Sequence, residues 1–397
     1  MTVIKDCRHL HFCGGCSSPQ TAYASSLKAK EQLLKTLFSP LCSESLICPV
    51  IPCDPILRGR NKMEFSFFQS RDHQKSLGFI SSTKPKQGVP ITECLLIHEN
   101  TMDILQLTRL WWDKYPNLQA YFPPKNRGSL CNLTVRFGYP KKEIMVILTT
   151  SGASGYSVNS EIVHDWKQML LNSSLDITSI FWEEKHAIKG SPTRYLSTLI
   201  HGRPYIQQTL TLPSNKDCAT FNIYPKSFFQ PQNFQAARII DITRELINPQ
   251  GSEQVLDLYC GVGTIGIMLS SYVKKVIGVE IVPEAIKSAK ENIQINHKED
   301  CMEVFLEDVK TFCQRMNAEI APDIIIIDPP RCGIQNKVLK YILRIGAPRL
   351  IYISCNPKTQ LEESSCLVKA GYRIKKMQPI DQFPHSPHLE NILLLEK

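Results

Sequence analysis

From Gln254 onward, short apolar runs recur with amphipathic stretches between them. Residues 255–258, 276–279, 302–306, 324–327, 350–353 and 391–395 each have strand length and strand composition. Between several of these lie helical stretches, such as 283–296, where Ile286, Ala289 and Ile293 share one face. Strands alternating with helices predict an α/β fold with a parallel, doubly wound sheet. Such sheets bind ligands at the C-terminal ends of their strands.

The earlier part of the chain has a different rhythm. Between about 56 and 206 the pattern is mostly two-residue alternation. Met63, Phe65 and Phe67 alternate with Glu64 and Ser66, and Leu133, Val135 and Phe137 repeat the pattern. Residues 77–80 and 144–148 are short apolar runs, and 100–115 is an amphipathic helix. The expectation is a mixed α+β sheet domain with few regular crossovers. Ahead of it, residues 22–38 read as a helix with no breaker before Pro40, followed by a turn or linker at Pro49, Pro52 and Pro55. Residues 224–233 read as a loop leading into a helix that ends near Ile247. Two domains follow, 1–225 and 226–397, with helix 22–38 able to pack on the second.

Charge sharpens this division. Residues 1–225 hold 25 Lys+Arg against 17 Asp+Glu, whereas 226–397 hold 21 against 20. A basic first domain and a neutral second suggest one part that holds a polyanion and one that does chemistry. Arg58, Arg60, Lys62, Arg71, Lys75, Lys84 and Lys86 are candidate phosphate contacts, while core packing is preferred over base stacking for Phe65 and Phe67. No apolar run spans a bilayer and residues 1–7 show no leader pattern, so a cytoplasmic protein is expected.

Fifteen cysteines in a cytoplasmic chain point to metal or catalysis wherever they cluster. Cys7, Cys13 and Cys16 lie within ten residues, with Gly14-Gly15 between the last two, so the backbone can wrap a metal centre. Cys94 is taken as fourth ligand over Cys42, Cys48 and Cys53; four thiolates suit structural zinc or an iron–sulfur cluster. Cys131, Cys218, Cys301, Cys313 and Cys366 are expected as core filler. Cys355 stands apart: it ends an apolar strand before Asn356, a helix-capping residue type, and Pro357, suited to the first helical turn. The positive end of a helix beside a thiol favours thiolate.

The remaining chemistry falls at strand ends. Gly261, Gly263 and Gly266 follow the first strand of the second domain and permit a tight turn close to a ligand. Glu280 ends the next strand, placed for a ribose diol. Asp257, Asp308 and Asp328 supply further acids, suited to an amine, an adenine amino group and the reacting site. The glycines also satisfy a nicotinamide-binding pattern, but one acid per strand end resembles the S-adenosylmethionine methyltransferase fold.

The ordered set Cys7/Cys13/Cys16/Cys94, Phe229-Gln230, Asp257 to Gly263, Asp328-Pro329-Pro330-Arg331, Ser354-Cys355-Asn356-Pro357 and Phe383 to Glu390 resembles the iron–sulfur RNA uracil-5-methyltransferases across almost the whole chain. The resemblance implies a Rossmann-like class I methyltransferase domain behind an RNA-binding domain that carries a [4Fe–4S] cluster on the four cysteines. It implies S-adenosylmethionine contacts at Gln230, Tyr259, Gly261, Gly263, Thr264, Glu280, Asp308 and Asp328. Cys355 becomes the nucleophile and Glu390 the base. The sequence departs from the pattern at Thr264, where relatives often carry Asn, and in a one-residue-longer spacing after Gln230. The cluster motif starts near Met1, leaving no room for the extra N-terminal β-barrel of some members. A monomer acting on RNA is expected, with 23S rRNA favoured over tRNA. The alternatives are an RNA cytosine-5-methyltransferase, for which Cys332 offers a second thiol, and a non-catalytic RNA-binding or redox-sensing protein.

Overall fold

The computed structural model describes residues 7–17, 21–84, 86–316 and 321–397. The reading of residues 1–6 as free of a leader lies outside them. Two compact units emerge. One comprises Thr21–Asp54 and Thr209–Lys397; the other holds residues 7–17 and Pro55–Gln208. The division therefore differs from the expected one at 225/226. Residues 21–54 belong with the C-terminal unit because helix α1 (Tyr23–Phe38) buries Leu34 and Phe38, and the following segment Ile47, in that unit's apolar core. Divided this way, the central unit holds 20 Lys+Arg against 12 Asp+Glu, and the C-terminal unit 25 against 24. Almost all of the positive excess thus sits in the central unit.

The central unit runs β1 (Lys62–Gln69), β2 (Lys75–Ile80), β3 (Gly88–Pro90), α2 (Asn100–Lys114), β4 (Leu130–Gly138), β5 (Glu143–Ser151), α3 (Ser160–Leu171), β6 (Ile177–His186) and β7 (Arg194–Gly202). Among the described residues these strands form one sheet in the order β3-β2-β1-β4-β5-β6-β7. It is antiparallel except where β6 lies parallel to β5, after the α3 crossover. Asn159 starts α3 by accepting the Glu161 N–H at 3.0 Å. Alternation in β1 sends Phe65 and Phe67 into the core, where Phe67 meets Trp112 of α2 edge-on at 5.1 Å. These rings are unavailable for stacking on bases. Strand β7 was not foreseen: most of its positions are exposed, so no buried face imposes a period on its sequence.

In the C-terminal unit, β8 (Ile206–Thr211), within which the division falls, and β9 (Cys218–Ile223) form a two-stranded ribbon. Then come α4 (Asn233–Ile247), β10 (Gln254–Leu258), α5 (Thr264–Leu269), β11 (Lys275–Glu280), α6 (Pro283–Ile295), β12 (Met302–Leu306) and α7 (Val309–Arg315). Next are β13 (Ile324–Ile327), α8 (Asn336–Ile345), β14 (Arg349–Ser354), α9 (Pro357–Lys369), β15 (Arg373–Ile380) and β16 (Glu390–Glu396). The sheet order is β12-β11-β10-β13-β14-β16-β15. Its first five strands are parallel, as the strand–helix rhythm predicts, and the order reverses beside β10, opening a crevice at the strand ends.

The expected all-parallel sheet is corrected at one edge. Strand β16 runs antiparallel to both β14 and β15, making the sheet mixed. Strand β15 escaped the sequence reading because Lys375, Lys376 and Gln378 interrupt its apolar positions. The 47–51 segment pairs along β15, with the Cys48 and Ile51 N–H groups donating to Met377 and Pro379 carbonyls at 2.9 and 3.0 Å. Strand β13, four buried isoleucines, lies at the centre. Ile327→Ala there should lower the unfolding free energy by about 2–5 kcal/mol in urea titration, through lost burial and an unfilled cavity.

Candidate active site

Four strand ends of the C-terminal unit converge on the crevice. After β10 the chain turns through Tyr259, Gly261 and Gly263 with φ of 65°, 57° and 82°. Only glycine takes such left-handed geometry freely, which accounts for the two glycines and marks Tyr259 as held there by its surroundings. The turn is tied to β11: Glu280 accepts the Gly261 N–H on Oε2 at 3.2 Å and the Ile281 and Val282 N–H groups on Oε1 at 2.8 and 2.9 Å. Thr264 opens α5 directly after Gly263. At the end of β12, Asp308 spends Oδ1 on the Thr311 N–H at 3.2 Å, capping α7. Gln230 accepts from the Gln382 side-chain amide at 2.5 Å.

The acids deeper in the crevice are electrostatically strained. Asp257 is buried and neither of its side-chain oxygens has a hydrogen-bond partner at ordinary distance. Burial first, and the Asp328 carboxyl second, push its pKa up to about 8; the Gly266 N–H draws it back. Asp328 keeps some exposure at its residue surface but is enclosed by protein atoms, and that enclosure pushes it up to about 7. Glu390, the first residue of β16, is buried with Oε2 unpaired. Burial and Asp328 hold its pKa well above the carboxylate range, against the pull of Arg331.

Cys355 lies between β14 and α9, half-buried, and opens into a cavity of about 300 Å³. Arg331, Lys358 and His388 bring positive or protonatable groups to its walls; Leu33 and Leu37 of α1, Pro387 and Leu389 bring apolar ones. That volume suits a small-molecule site. Helix α9 does begin at Pro357. The expected thiolate-favouring field is nevertheless overridden: burial and then Glu390 raise the Cys355 pKa, and the nearby Arg331 guanidinium counteracts them. Nor does the Asn356 side chain cap the helix. Its amide donates to the Arg331 carbonyl at 3.3 Å and to Thr359 Oγ1 at 2.7 Å, tying the thiol's loop to the loop after β13. Cys332 is exposed and does not line this cavity.

In the central unit, Cys7, Cys13, Cys16 and Cys94 line one small cavity of about 30 Å³ with Met63 and Phe79. Gly14 is required here, since a Cβ would come within 2.8 Å of the Ile80 carbonyl that its own N–H engages at 2.9 Å. Arg58 is half-buried and donates to the Cys94 and Ile97 carbonyls at 2.7 and 2.8 Å, holding the Cys94 loop. Burial pushes Cys16 up to about 12, with Cys94, Cys13 and Cys7 adding to the shift. Crowded, desolvated thiols are the chemistry a thiophilic metal relieves. Among the described residues, however, no three His, Cys, Asp or Glu side chains form a group that could hold a metal ion. The thiols expected as filler divide: Cys131 and Cys313 are buried, Cys301 is half-buried, and Cys218 and Cys366 are exposed.

A Rossmann-like sheet with a glycine turn, the Glu280 carboxylate and a thiol-lined cavity in one unit is the arrangement of an S-adenosylmethionine-dependent methyltransferase fold. Comparison with known proteins identifies the kind. Residues 193–397, just over half the chain, match the family described as tRNA (Uracil-5-)-methyltransferase. A Chlamydia caviae protein named "Uncharacterized RNA methyltransferase" is 66% identical over 100% of this chain and 99% of its own. A Chlamydia pneumoniae protein of similar name is 64% identical over the same shares. Among solved structures, Pyrococcus abyssi tRNA (uracil-54, C5)-methyltransferase with bound S-adenosyl-L-homocysteine is 25% identical with a TM-score of 0.75, covering 96% of this chain and 84% of that one. The chain belongs to the tRNA (uracil-5-)-methyltransferase family and is an S-adenosylmethionine-dependent RNA methyltransferase. Among the described residues no helix is long and apolar enough to cross a membrane.

The sequence reading quoted Arg331 without giving it work, and passed over Gln382 and the cavity face of α1. Arg331 could have been suspected from its place directly after the Asp328 strand end. The link between Leu33 and Cys355 has no sequence signature, because tertiary packing alone creates it.

The raised acids set a pH dependence. Folded Asp257 keeps its proton up to about 8, whereas its ordinary value is 3.8. Between those limits the folded chain binds more protons than the unfolded one, so stability is full below the lower value and declines as pH rises through the upper. The ligand-free protein should therefore lose stability to denaturant between about pH 4 and 8, and Asp257→Asn should flatten that slope.

Proposed function

We propose that the enzyme methylates C5 of a uridine in RNA through a covalent bond between Cys355 and C6 of the base. The observation that carries this reading is the thiol opening into a cavity of about 300 Å³ that Arg331 also lines, with the buried Glu390, its Oε2 unpaired, close enough to shift the thiol's pKa. Uracil C5 is a poor nucleophile. Addition of the Cys355 thiolate to C6 places the ring's π electrons on C5 and the adjoining carbonyl as an enolate. Arg331 stabilises the thiolate before attack. S-adenosylmethionine supplies the electrophilic methyl group that C5 takes. The ionised Glu390 then removes the C5 proton; the electrons left behind restore the C5–C6 double bond and expel the thiolate.

Gln230, Tyr259, Gly261, Gly263, Thr264, Glu280, Asp308 and Asp328 hold the cofactor in this reading. Its support is the left-handed glycine turn and the unpaired oxygens of Asp257, which suit an ammonium group. The target base has to leave its stack to reach Cys355. The basic central unit holds the RNA by its phosphates. Cys7, Cys13, Cys16 and Cys94 carry a [4Fe–4S] cluster; their convergence on one cavity supports this, and a cluster is larger than the single ion a tight tetrahedral set would grip. The acceptor is either 23S rRNA, favoured from the sequence, or tRNA, the substrate for which the similar Pyrococcus abyssi enzyme is named.

Unmodified 23S rRNA and tRNA transcripts offered with labelled cofactor test the reading directly. One of them should gain 5-methyluridine; methylated cytosine instead would refute the assignment. Cys355→Ala should cut the rate by more than about a thousand-fold. Glu390→Gln should cut it by about a hundred-fold or more while a denaturant-resistant enzyme–RNA species accumulates. Because Cys355 and Glu390 both act deprotonated and both have raised pKa values, kcat/KM should climb as pH rises above neutrality. Protein purified without oxygen should be brown and contain iron; colourless protein with stoichiometric zinc would contradict the cluster.

A further inference from the structure

Helix α1 carries a second structural feature that the reaction as described does not use. Lys30 is buried on this helix, with 4% of its side chain exposed, and its ammonium group meets Asp381 Oδ1 at 2.8 Å; the Asp381 side chain is fully buried. Tyr23, two turns earlier on the same face, donates to Asp381 Oδ2 at 2.8 Å and accepts the Cys53 N–H at 2.7 Å. The groups bonded to the Asp381 carboxylate are thus Lys30 and Tyr23 from α1 and the Phe383 N–H, with Cys53 behind Tyr23. Isolating a full ion pair from water is costly and is offset only when every lone pair and proton is used. Here both Asp381 oxygens accept bonds, and both acceptors of Lys30 lie in one loop.

That loop is 381–389, which connects β15 to β16 and delivers Glu390. Asp381 Oδ1 also accepts the Phe383 N–H at 3.1 Å, and Lys30 donates to the Phe383 carbonyl at 3.3 Å. The same carbonyl accepts the Ser386 hydroxyl at 2.8 Å, and Ser386 Oγ accepts the His388 N–H at 3.3 Å. A continuous run of hydrogen bonds therefore leads from the Lys30 ammonium to the residue two before Glu390. Other anchors of the loop include the Asp381 N–H, which donates to the Ile51 carbonyl at 2.8 Å, the Asp381 carbonyl, which accepts the Gln235 amide at 2.7 Å, and Gln382, which bonds Gln230. Leu33 and Leu37, three and seven residues past Lys30, line the Cys355 cavity together with His388 and Leu389 of the loop.

We propose that Lys30, Tyr23 and Asp381 are positioning residues for the proton-removal step: α1 sets the path of the 381–389 loop, and through it the placement of Glu390 against C5 and of His388 against the bound nucleotide. The proposal rests on the roles given to Cys355 and Glu390 above. It adds that a helix distant in sequence from both governs the second half of the reaction more than the first. Addition of Cys355 to C6 depends on β14 and α9; α1 packs on α9, but among the described residues Lys30, Tyr23 and Asp381 make no hydrogen bond to either element. Removal of the C5 proton depends on the loop the network holds.

The test compares Asp381→Asn, Lys30→Met, the double variant and Tyr23→Phe in the full chain, using the unmodified RNA transcript that the unaltered enzyme methylates. Asp381→Asn and Lys30→Met are expected to lower kcat ten-fold or more and change the KM for RNA less than three-fold. The methylated covalent enzyme–RNA species should rise as a fraction of enzyme. Tyr23→Phe, which removes one hydroxyl and no charge, should show the same signature at about three-fold. Lys30→Arg, which keeps the charge, should recover most of the rate. If a single charge variant fails to fold, the neutral double variant carries the comparison, with cofactor binding and far-ultraviolet circular dichroism as the measure of folding. The double variant should remain slow, because the Lys30 bond to the Phe383 carbonyl is still missing. Recovery of kcat in the double variant would show that the pair only balances charge and would overturn the proposal. So would unchanged kcat and adduct fraction in Tyr23→Phe together with the double, or loss of kcat only in proportion to lost cofactor binding. Absence of any covalent species in the unaltered enzyme and in Glu390→Gln would instead overturn the Cys355 mechanism itself.

Discussion

The site is organised around carboxyl groups kept from water without enough partners to hold their charge. Asp328 raises the pKa of both Asp257 and Glu390, and burial raises all three. A fold bears such a cost where the acids have something to meet. In the proposed mechanism Asp257 meets a cation and Glu390, once ionised, takes a proton. Arg331, the one guanidinium lining the cavity, is shared between Glu390 and the Cys355 thiol and lowers both. Its charge is thus placed where a thiolate has to form and a carboxylate has to follow it.

Two kinds of loop surround this arrangement. The glycine turn after β10 is fixed by its own backbone geometry, by the Gly261 N–H bond to Glu280 and by the Asn292 amide donating to the Val262 carbonyl at 3.2 Å, all within the next strand and helix. The 381–389 segment is fixed from outside, by side chains on α1 and α4. This explains why helix α1 belongs with the C-terminal unit, although a basic, cysteine-bearing region flanks it in sequence on both sides. The helix buries one stripe in the Rossmann core and turns another toward the thiol cavity.

Much of this was legible in the chain. The five parallel strands declared themselves because each is a short apolar run between helical stretches, and the glycines announced the turn that follows the first. What was not legible depended on partners far away in sequence. Strand β15 hid behind Lys375 and Lys376, and β7 had no buried face to show. The field at Cys355 was misjudged because a helix end is a local feature, whereas the burial and Glu390 that override it arrive from a strand 35 residues further on. Neither composition nor period announces that Glu390 is buried; its enclosure comes from pairing with β14 and β15 on either side of its strand.

The account stands on sulfur joining the pyrimidine ring. The most direct measurement is the site of attachment. RNA transcripts carrying 5-fluorouridine, in which no C5 proton can leave, are incubated with enzyme and cofactor, the adduct is digested, and the modified peptide is sequenced by mass spectrometry. Attachment at Cys355, with a methyl group and fluorine both retained on the base, is the predicted result. Attachment at Cys332, or methylated RNA with no adduct at any cysteine, would contradict it.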